Sequence, residues 1–227
     1  MLSDALTNSI NTVWAQVAQK VGASTLQDYM DRLGFYRPPP IDLPTDELAV
    51  SGVRYPGHPG YLPLASGADI GRVGIGEGGL EVTPLQMLMV ASAVANDGRL
   101  MVPHLTSQIV NADGQVVQTV TPQLYSDVMK PSTAQEVGGM MENVVRDGTG
   151  TAAALVGITV AGKTGTAQDC TSLAVCDTSQ VWFIAYAPVS NPQIAIAVTI
   201  ARQVGFGGTI AAPIARQVLQ ALLGAHA

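Results

Sequence analysis

Lys163 is one of three lysines in this 227-residue chain, and it stands among glycines and hydroxyls in Gly162-Lys163-Thr164-Gly165-Thr166. A lysine ammonium is a compact charge suited to a carboxylate. Glycine on either side lets a ligand lie close against a strand's backbone. Period-two alternation puts the Thr164 and Thr166 hydroxyls on one face. Residues 157–164 also satisfy the phosphate-loop pattern G-x-x-x-x-G-K-[ST], so one string offers two incompatible chemistries. A phosphate loop needs a strand before its first glycine and a helix opening at the Lys-Thr pair. Here the β-branched Ile158, Thr159 and Val160 lie inside the would-be loop and read as a strand. The residues after Lys163 carry no helical apolar period. No nucleotide site is expected. On three residues alone, an ordinary edge strand with an exposed lysine is the better explanation, so specificity must come from elsewhere.

A second polar knot lies near the start, at Thr7-Asn8-Ser9-Ile10-Asn11, interrupting an apolar stripe of Leu2, Leu6, Ile10 and Val13. Polar residues this dense favour a helix junction, with Ser9 or Asn11 capping a helix over about 12–21. A second helix is expected from about Ser24 to Leu33. Residues 35–72 carry a run of prolines that forbids regular helix or central strand, and loops this long are usually functional. The glycine-rich stretch 74–79 lacks a strand-to-helix context and reads as a tight turn, with Glu77 a structural hydrogen-bonder. Thr83-Pro84 starts a clear helix. It buries a face of Leu85, Leu88, Met89, Ser92 and Ala93, joined by Leu100 beyond Asp97-Gly98. Asp113-Gly114 between two apolar runs predicts a hairpin. Ser132 with Gln135 reads as a capping box for a helix with Val137, Met140, Met141 and Val144 on its apolar side. Gly148-Thr149-Gly150 breaks it. Strands follow at Val181–Ala187 and Ile194–Ala201, the latter apolar on both faces and so covered on both sides. A final helix over 212–223, begun at Pro213, turns Ile214, Val218, Leu219 and Leu222 inward.

Only 12% of the residues are charged, about half the roughly 25% of ordinary domains. A net charge of −6 with eleven scattered basic residues argues against nucleic-acid binding. No run of 18 apolar residues is present to span a bilayer, and no basic leader precedes an apolar core. A membrane anchor, if the protein has one, lies outside these residues. Three distant histidines offer no metal spacing, and no cofactor or metal is expected. Cys170 and Cys176 are not spaced as a redox or zinc pair. They form a local disulfide or remain two free thiols, and the sequence leaves both open.

Ser9-Ile10-Asn11 followed by Lys163-Thr164-Gly165-Thr166 resembles the second and third motifs of the penicillin-binding transpeptidases. The flanks resemble that family too: Val82-Thr83-Pro84-Leu85-Gln86-Met87, Asn96-Asp97-Gly98-Arg99-Leu100, Pro103-His104 and Gly148-Thr149-Gly150. The likeness runs from about Ser9 to Leu223 and is strongest to the class B, monofunctional members. It implies an α/β (α+β) fold, with an antiparallel sheet flanked by helices and a helical subdomain. Residues 1–157 would be mainly helical and loop; 158–227 would hold the sheet strands and last helix.

The resemblance implies a serine acyl-enzyme that cross-links D-alanyl-D-alanine stem peptides of peptidoglycan and is blocked by β-lactams. It would work at the outer face of the bacterial membrane, with cell-wall elongation or division proteins as partners. Ser9 then relays a proton, Asn11 orients the substrate, and Lys163 anchors its carboxylate. Thr164 and Thr166 add hydrogen bonds on either side of Gly165, and the Thr166 N–H sits in the oxyanion hole. One element is missing. The family's S-x-x-K, which carries the nucleophile, should precede Ser9. Three residues before Lys20, Lys130 and Lys163 stand Val17, Asp127 and Val160, so the chain contains no such motif. Early strands and a covering helix are missing too, and the chain is expected to be the C-terminal part of a longer transpeptidase. The alternative is a non-catalytic module that binds cell-wall peptides or division partners.

Overall fold

The computed structural model describes residues 1–169 and 177–224; Cys170 and Cys176 fall outside them. The polypeptide opens with three helices: α1 (Leu2–Thr7), α2 (Asn11–Val21) and α3 (Ala23–Arg32). The proline-rich excursion contributes a two-residue strand β1 (Gly52–Val53) and one turn of helix α4 (Ile70–Val73). Strand β2 (Leu80–Glu81) pairs back antiparallel onto β1. Helix α5 (Pro84–Ala95) follows, then β3 (Arg99–Met101), the hairpin β4 (Gln108–Val110) and β5 (Val116–Thr119), and β6 (Leu124–Asp127). Helix α6 (Pro131–Asp147) leads into the main sheet of β7 (Ala161–Asp169), β8 (Thr178–Ala187) and β9 (Ile194–Gln203), closed by helix α7 (Gly207–Leu223).

The sheet is antiparallel in the order β7-β8-β9, with α7 on one face and α5 and α6 on the other. Directly opposed residues of antiparallel strands share a face. Val181, Phe183, Ala185 and Ala187 of β8 pack on Ala211, Ala212, Ala215 and Leu219 of α7. Tyr186 of β8 and Ala161 of β7 pack on Val94 of α5 and Met141 of α6. Strand β9 is covered on both faces only in part: most of its residues are half-buried, and Ala201 and Arg202 are exposed. Among the described residues its outer edge pairs with no further strand.

Several elements differ from their sequence reading for identifiable reasons. Neither Ser9 nor Asn11 caps α2: the cap is the extended Ile10, whose carbonyl accepts from Val13 and Trp14. The run Ile158–Val160 forms no strand: it makes an isolated bridge, Leu155 with Ile158, and the Thr159 carbonyl accepts from the Val189 amide, while β7 begins at Ala161. Its partner β8 ends opposite it, at Ala187, so the β-branched run has no ladder to join. Helix α6 starts at Pro131, whose fixed φ suits a first position, and Ser132 makes no cap. Gln135 instead donates to Asp97 at 3.2 Å. Helix α5 is central, buried at Gln86, Met89, Ala91, Ala93 and Val94 around its circumference. Its Gln86 side chain donates to the Leu33 carbonyl at 2.8 Å.

Helix α7 departs most. It starts at Gly207, with Pro213 inside it, and it buries Leu219, as expected, together with Ala211, Ala212 and Ala215, while Ile214, Val218 and Leu222 are exposed. The largest side chains were expected inward, but small ones let the helix lie close on Phe183.

The Asp113-Gly114 hairpin is present, with Gly114 at φ 79° and the Asn111 side chain accepting from the Asp113 and Gln115 amides. Thr83 caps α5, accepting from the Gln86 amide.

Candidate active site

The Ser9 junction is a folded knot. The Ser9 amide donates to the Leu6 carbonyl and the Ile10 amide to that of Ala5. The Trp14 indole N–H also reaches the Ala5 carbonyl, at 3.2 Å, pinning α2 to α1. Ser9 itself sits at φ 54°, a left-handed conformation that few non-glycine residues adopt. With the capping role taken by Ile10, its hydroxyl is free to face the sheet.

Across from it stands Lys163. The Lys163 Nζ donates to Ser9 Oγ at 2.8 Å and to the Thr164 carbonyl at 2.9 Å. An ammonium carries three protons, so one has no partner among the described residues. The side chain is largely buried, and desolvation lowers its pKa to about 8 from the usual 10.5; burial disfavours the charged form of a lysine. The group is therefore mainly protonated at neutral pH yet can give up a proton within a unit or so.

Thr164 and Thr166 point to the opposite face of β7. The Thr164 hydroxyl lies 2.7 Å from that of Thr149, in the loop after α6. Thr166 Oγ1 accepts from the Gly207 amide at the start of α7, at 3.1 Å. Gly207 is required there, because a Cβ would collide with the carbonyls of Trp182 and Gly165.

A cavity of about 460 Å³ runs along β7. Its sheet wall is Lys163 to Ala167 with Gln180, Trp182 and Ile184; its other wall is Ile75, Glu77, Leu80, Glu81, Val82 and Met87. Glu81 is held by Arg54 at 2.9 Å and by the Tyr61 hydroxyl at 2.9 Å. Glu77 faces Arg72 at 3.4 Å. Both carboxylates thus have cationic partners, and among the described residues Lys163 on the opposite wall has no carboxylate partner.

The structure thus brings together Ser9 and Lys163 from positions 154 residues apart, and sets Thr164, Gly165 and Thr166 along the same cavity. Asn11, the first residue of α2, is exposed and makes no side-chain hydrogen bond among the described residues. Thr149 escaped the sequence reading as a site residue. Its only signal was the Gly-Thr-Gly string, which read as a helix breaker and a family flank. Among the described residues no group of three or more His, Cys, Asp or Glu could hold a metal ion, and no helix is long and apolar enough to cross a membrane.

A family model for the penicillin binding protein transpeptidase domain matches residues 1–220. The chain belongs to this family. This transpeptidase domain is 30% identical to peptidoglycan D,D-transpeptidase PbpA of Mycolicibacterium smegmatis, over 98% of the chain and 44% of that protein. It is 34% identical to peptidoglycan D,D-transpeptidase MrdA of Haemophilus influenzae, over 96% of the chain and 35% of that protein. Among solved structures it resembles penicillin-binding protein A of Mycobacterium tuberculosis in its ceftriaxone acyl-enzyme complex. The TM-score there is 0.85 and the identity 29%, over 98% of this chain and 48% of that one. The domain thus spans less than half the length of each of these relatives. The antiparallel sheet flanked by helices is the fold of this family.

Proposed function

We propose that these residues are the carboxylate-anchoring and proton-relaying part of a peptidoglycan D,D-transpeptidase whose nucleophile lies outside them. The observation that carries the reading is the 2.8 Å contact between Lys163 and Ser9 at the edge of a cavity. In this reading a serine of an upstream S-x-x-K attacks the D-alanyl-D-alanine peptide bond. The new C–O bond forms, and the negative charge on the carbonyl oxygen is met by the Thr166 N–H. Losing one such donor typically costs about 3 kcal/mol of transition-state stabilisation. The C–N bond then breaks, and the proton that the attacking serine gave up to the lysine of S-x-x-K passes through Ser9 to the departing D-alanine amine.

Lys163 uses two of its protons to hold Ser9 and its own strand, and offers the third to the terminal carboxylate. Thr164 and Thr166 hydrogen-bond the same carboxylate, and Asn11 orients the peptide. An acceptor amine from a second stem peptide finally displaces the acyl-enzyme. β-Lactams carry a carboxylate next to a reactive amide and engage the same groups. The reading places the protein on the outer face of the bacterial membrane, with its anchor outside these residues and partners among cell-wall elongation or division proteins. The names and the acyl-enzyme of its relatives support it.

A second reading, a non-catalytic cell-wall peptide-binding module, draws on the lack of any S-x-x-K within the 227 residues. Fluorescent penicillin separates the two. The 227-residue chain should form no covalent adduct. The upstream-extended protein should label, and Lys163→Ala within it should label much more slowly. An extended protein that stays unlabelled yet binds D-alanyl-D-alanine would favour the module.

A further inference from the structure

Thr149 lies outside the cavity wall, yet it touches three parts of the site. Its hydroxyl is 2.7 Å from that of Thr164, which does line the cavity. Its amide donates to the Thr7 carbonyl at 3.2 Å, two residues before Ser9. Its own carbonyl lies against Gly208 of α7, so closely that a Cβ on Gly208 would collide with it. An exposed loop residue is thus clamped between the Ser9 junction and α7, with its hydroxyl aimed at β7. Side chains locked in this way keep a hydrogen-bonding group in place before a ligand arrives.

The neighbouring hydroxyl indicates what such a clamp does. The Gly207 N–H can only donate, so Thr166 Oγ1 must accept there. Its single proton is left for another acceptor. Thr164 has the same need, because a carboxylate in the cavity only accepts. If Thr164 donated to Thr149, its lone pairs would face the anion. If Thr149 donates, the Thr164 proton turns to the anion. We propose that Thr149 is a positioning residue for ligand capture, donating its hydroxyl proton to Thr164 so that Thr164 presents its own to a bound carboxylate. The inference rests on the carboxylate-anchor reading above and adds to it the residue that aims the second hydroxyl.

Thr149→Val removes the hydroxyl and keeps the shape, and Thr149→Ser restores it. Amide chemical shifts of Gly165 and Thr166 follow titration with N-acetyl-D-alanyl-D-alanine and with its C-terminal amide, which has no carboxylate. Thr149→Val should weaken the acid about tenfold, the worth of one hydrogen bond to a charged group, and leave the amide unchanged. Thr149→Ser should return to within about threefold of wild type. Equal weakening of acid and amide, no weakening, or no rescue by serine would overturn the role. Lys163→Met, titrated alongside, tests the anchor itself. A wild-type chain without preference for the acid overturns the anchor and Thr149 together. A preference lost in Lys163→Met but intact in Thr149→Val overturns Thr149 alone.

Discussion

The two faces of β7 treat their polar groups in opposite ways. On one face Lys163 is desolvated against Ser9, and burial holds its pKa near 8. On the other, the Thr164 and Thr166 hydroxyls rest on Thr149 and the start of α7, with Thr166 exposed. The first face carries a charge at the expense of stability; the second presents neutral hydroxyls at little cost. Both faces meet at the open edge of the strand, so a ligand along that edge reaches the cation from one side and the hydroxyls from the other. Alternation with period two puts Lys163 on one side of that edge and Thr164 and Thr166 on the other.

The largest effect should come from the neutral face. Gly207→Ala would drive a Cβ into the carbonyls of Gly165 and Trp182. It should cost about 3 kcal/mol by urea unfolding, as overpacking does. A cost near zero would mean that α7 does not seat against β7 as described.

The charged face should answer with the opposite sign. Lys163→Met removes a desolvated ammonium and should stabilise the chain at pH 7 by roughly 1–3 kcal/mol, given the depressed pKa. The lost bond to Ser9 offsets part of the gain. The pH dependence sharpens this. A lysine whose folded pKa lies below its unfolded one binds fewer protons when folded, so stability rises with pH between the two values. Wild type should therefore gain stability from about pH 8 to 10.5 relative to Lys163→Met, and the difference between the proteins should shrink across that window.

Thr164→Val on the neutral face should cost only about 1 kcal/mol, the net worth of one hydrogen bond, with no such pH dependence. The smallest effect lies far from β7. The Asp42 carboxylate accepts from the Leu105 and Thr106 amides at 2.6 and 3.0 Å, and these bonds lower its pKa to about 2. Its folded pKa is depressed, so the contribution is present above the usual 3.8 and is lost as pH falls through about 2. Asp42→Ala should speed hydrogen exchange at those two amides and leave those of β7 unchanged.

Only some parts of the molecule were legible in the sequence. The Thr83-Pro84 helix start and the Asp113-Gly114 hairpin are local chemistry, and local chemistry reads directly. The pairing of Ser9 with Lys163 was legible only through the order of two short motifs, because nothing local joins residues 154 apart. Readings failed where tertiary contacts overrode local preference. Ser9 and Asn11 have the residue types of helix caps, but the backbone of Ile10 takes that position. The β-branched run 158–160 lacks a partner strand to pair with. Helix α7 buries alanines rather than Ile214, Val218 and Leu222 because closeness to the sheet favours small side chains. Thr149 was not legible because its contacts lie on three separate elements.

With three lysines in the chain, the lysine 13Cε resonances can be assigned individually and followed against pH. Lys163 should titrate near pH 8, and replacing Ser9 with alanine should shift its resonance but not those of Lys20 and Lys130. A Lys163 that titrates like a free lysine near 10.5, untouched by the change at Ser9, would contradict the claim that the two are held together in a desolvated site.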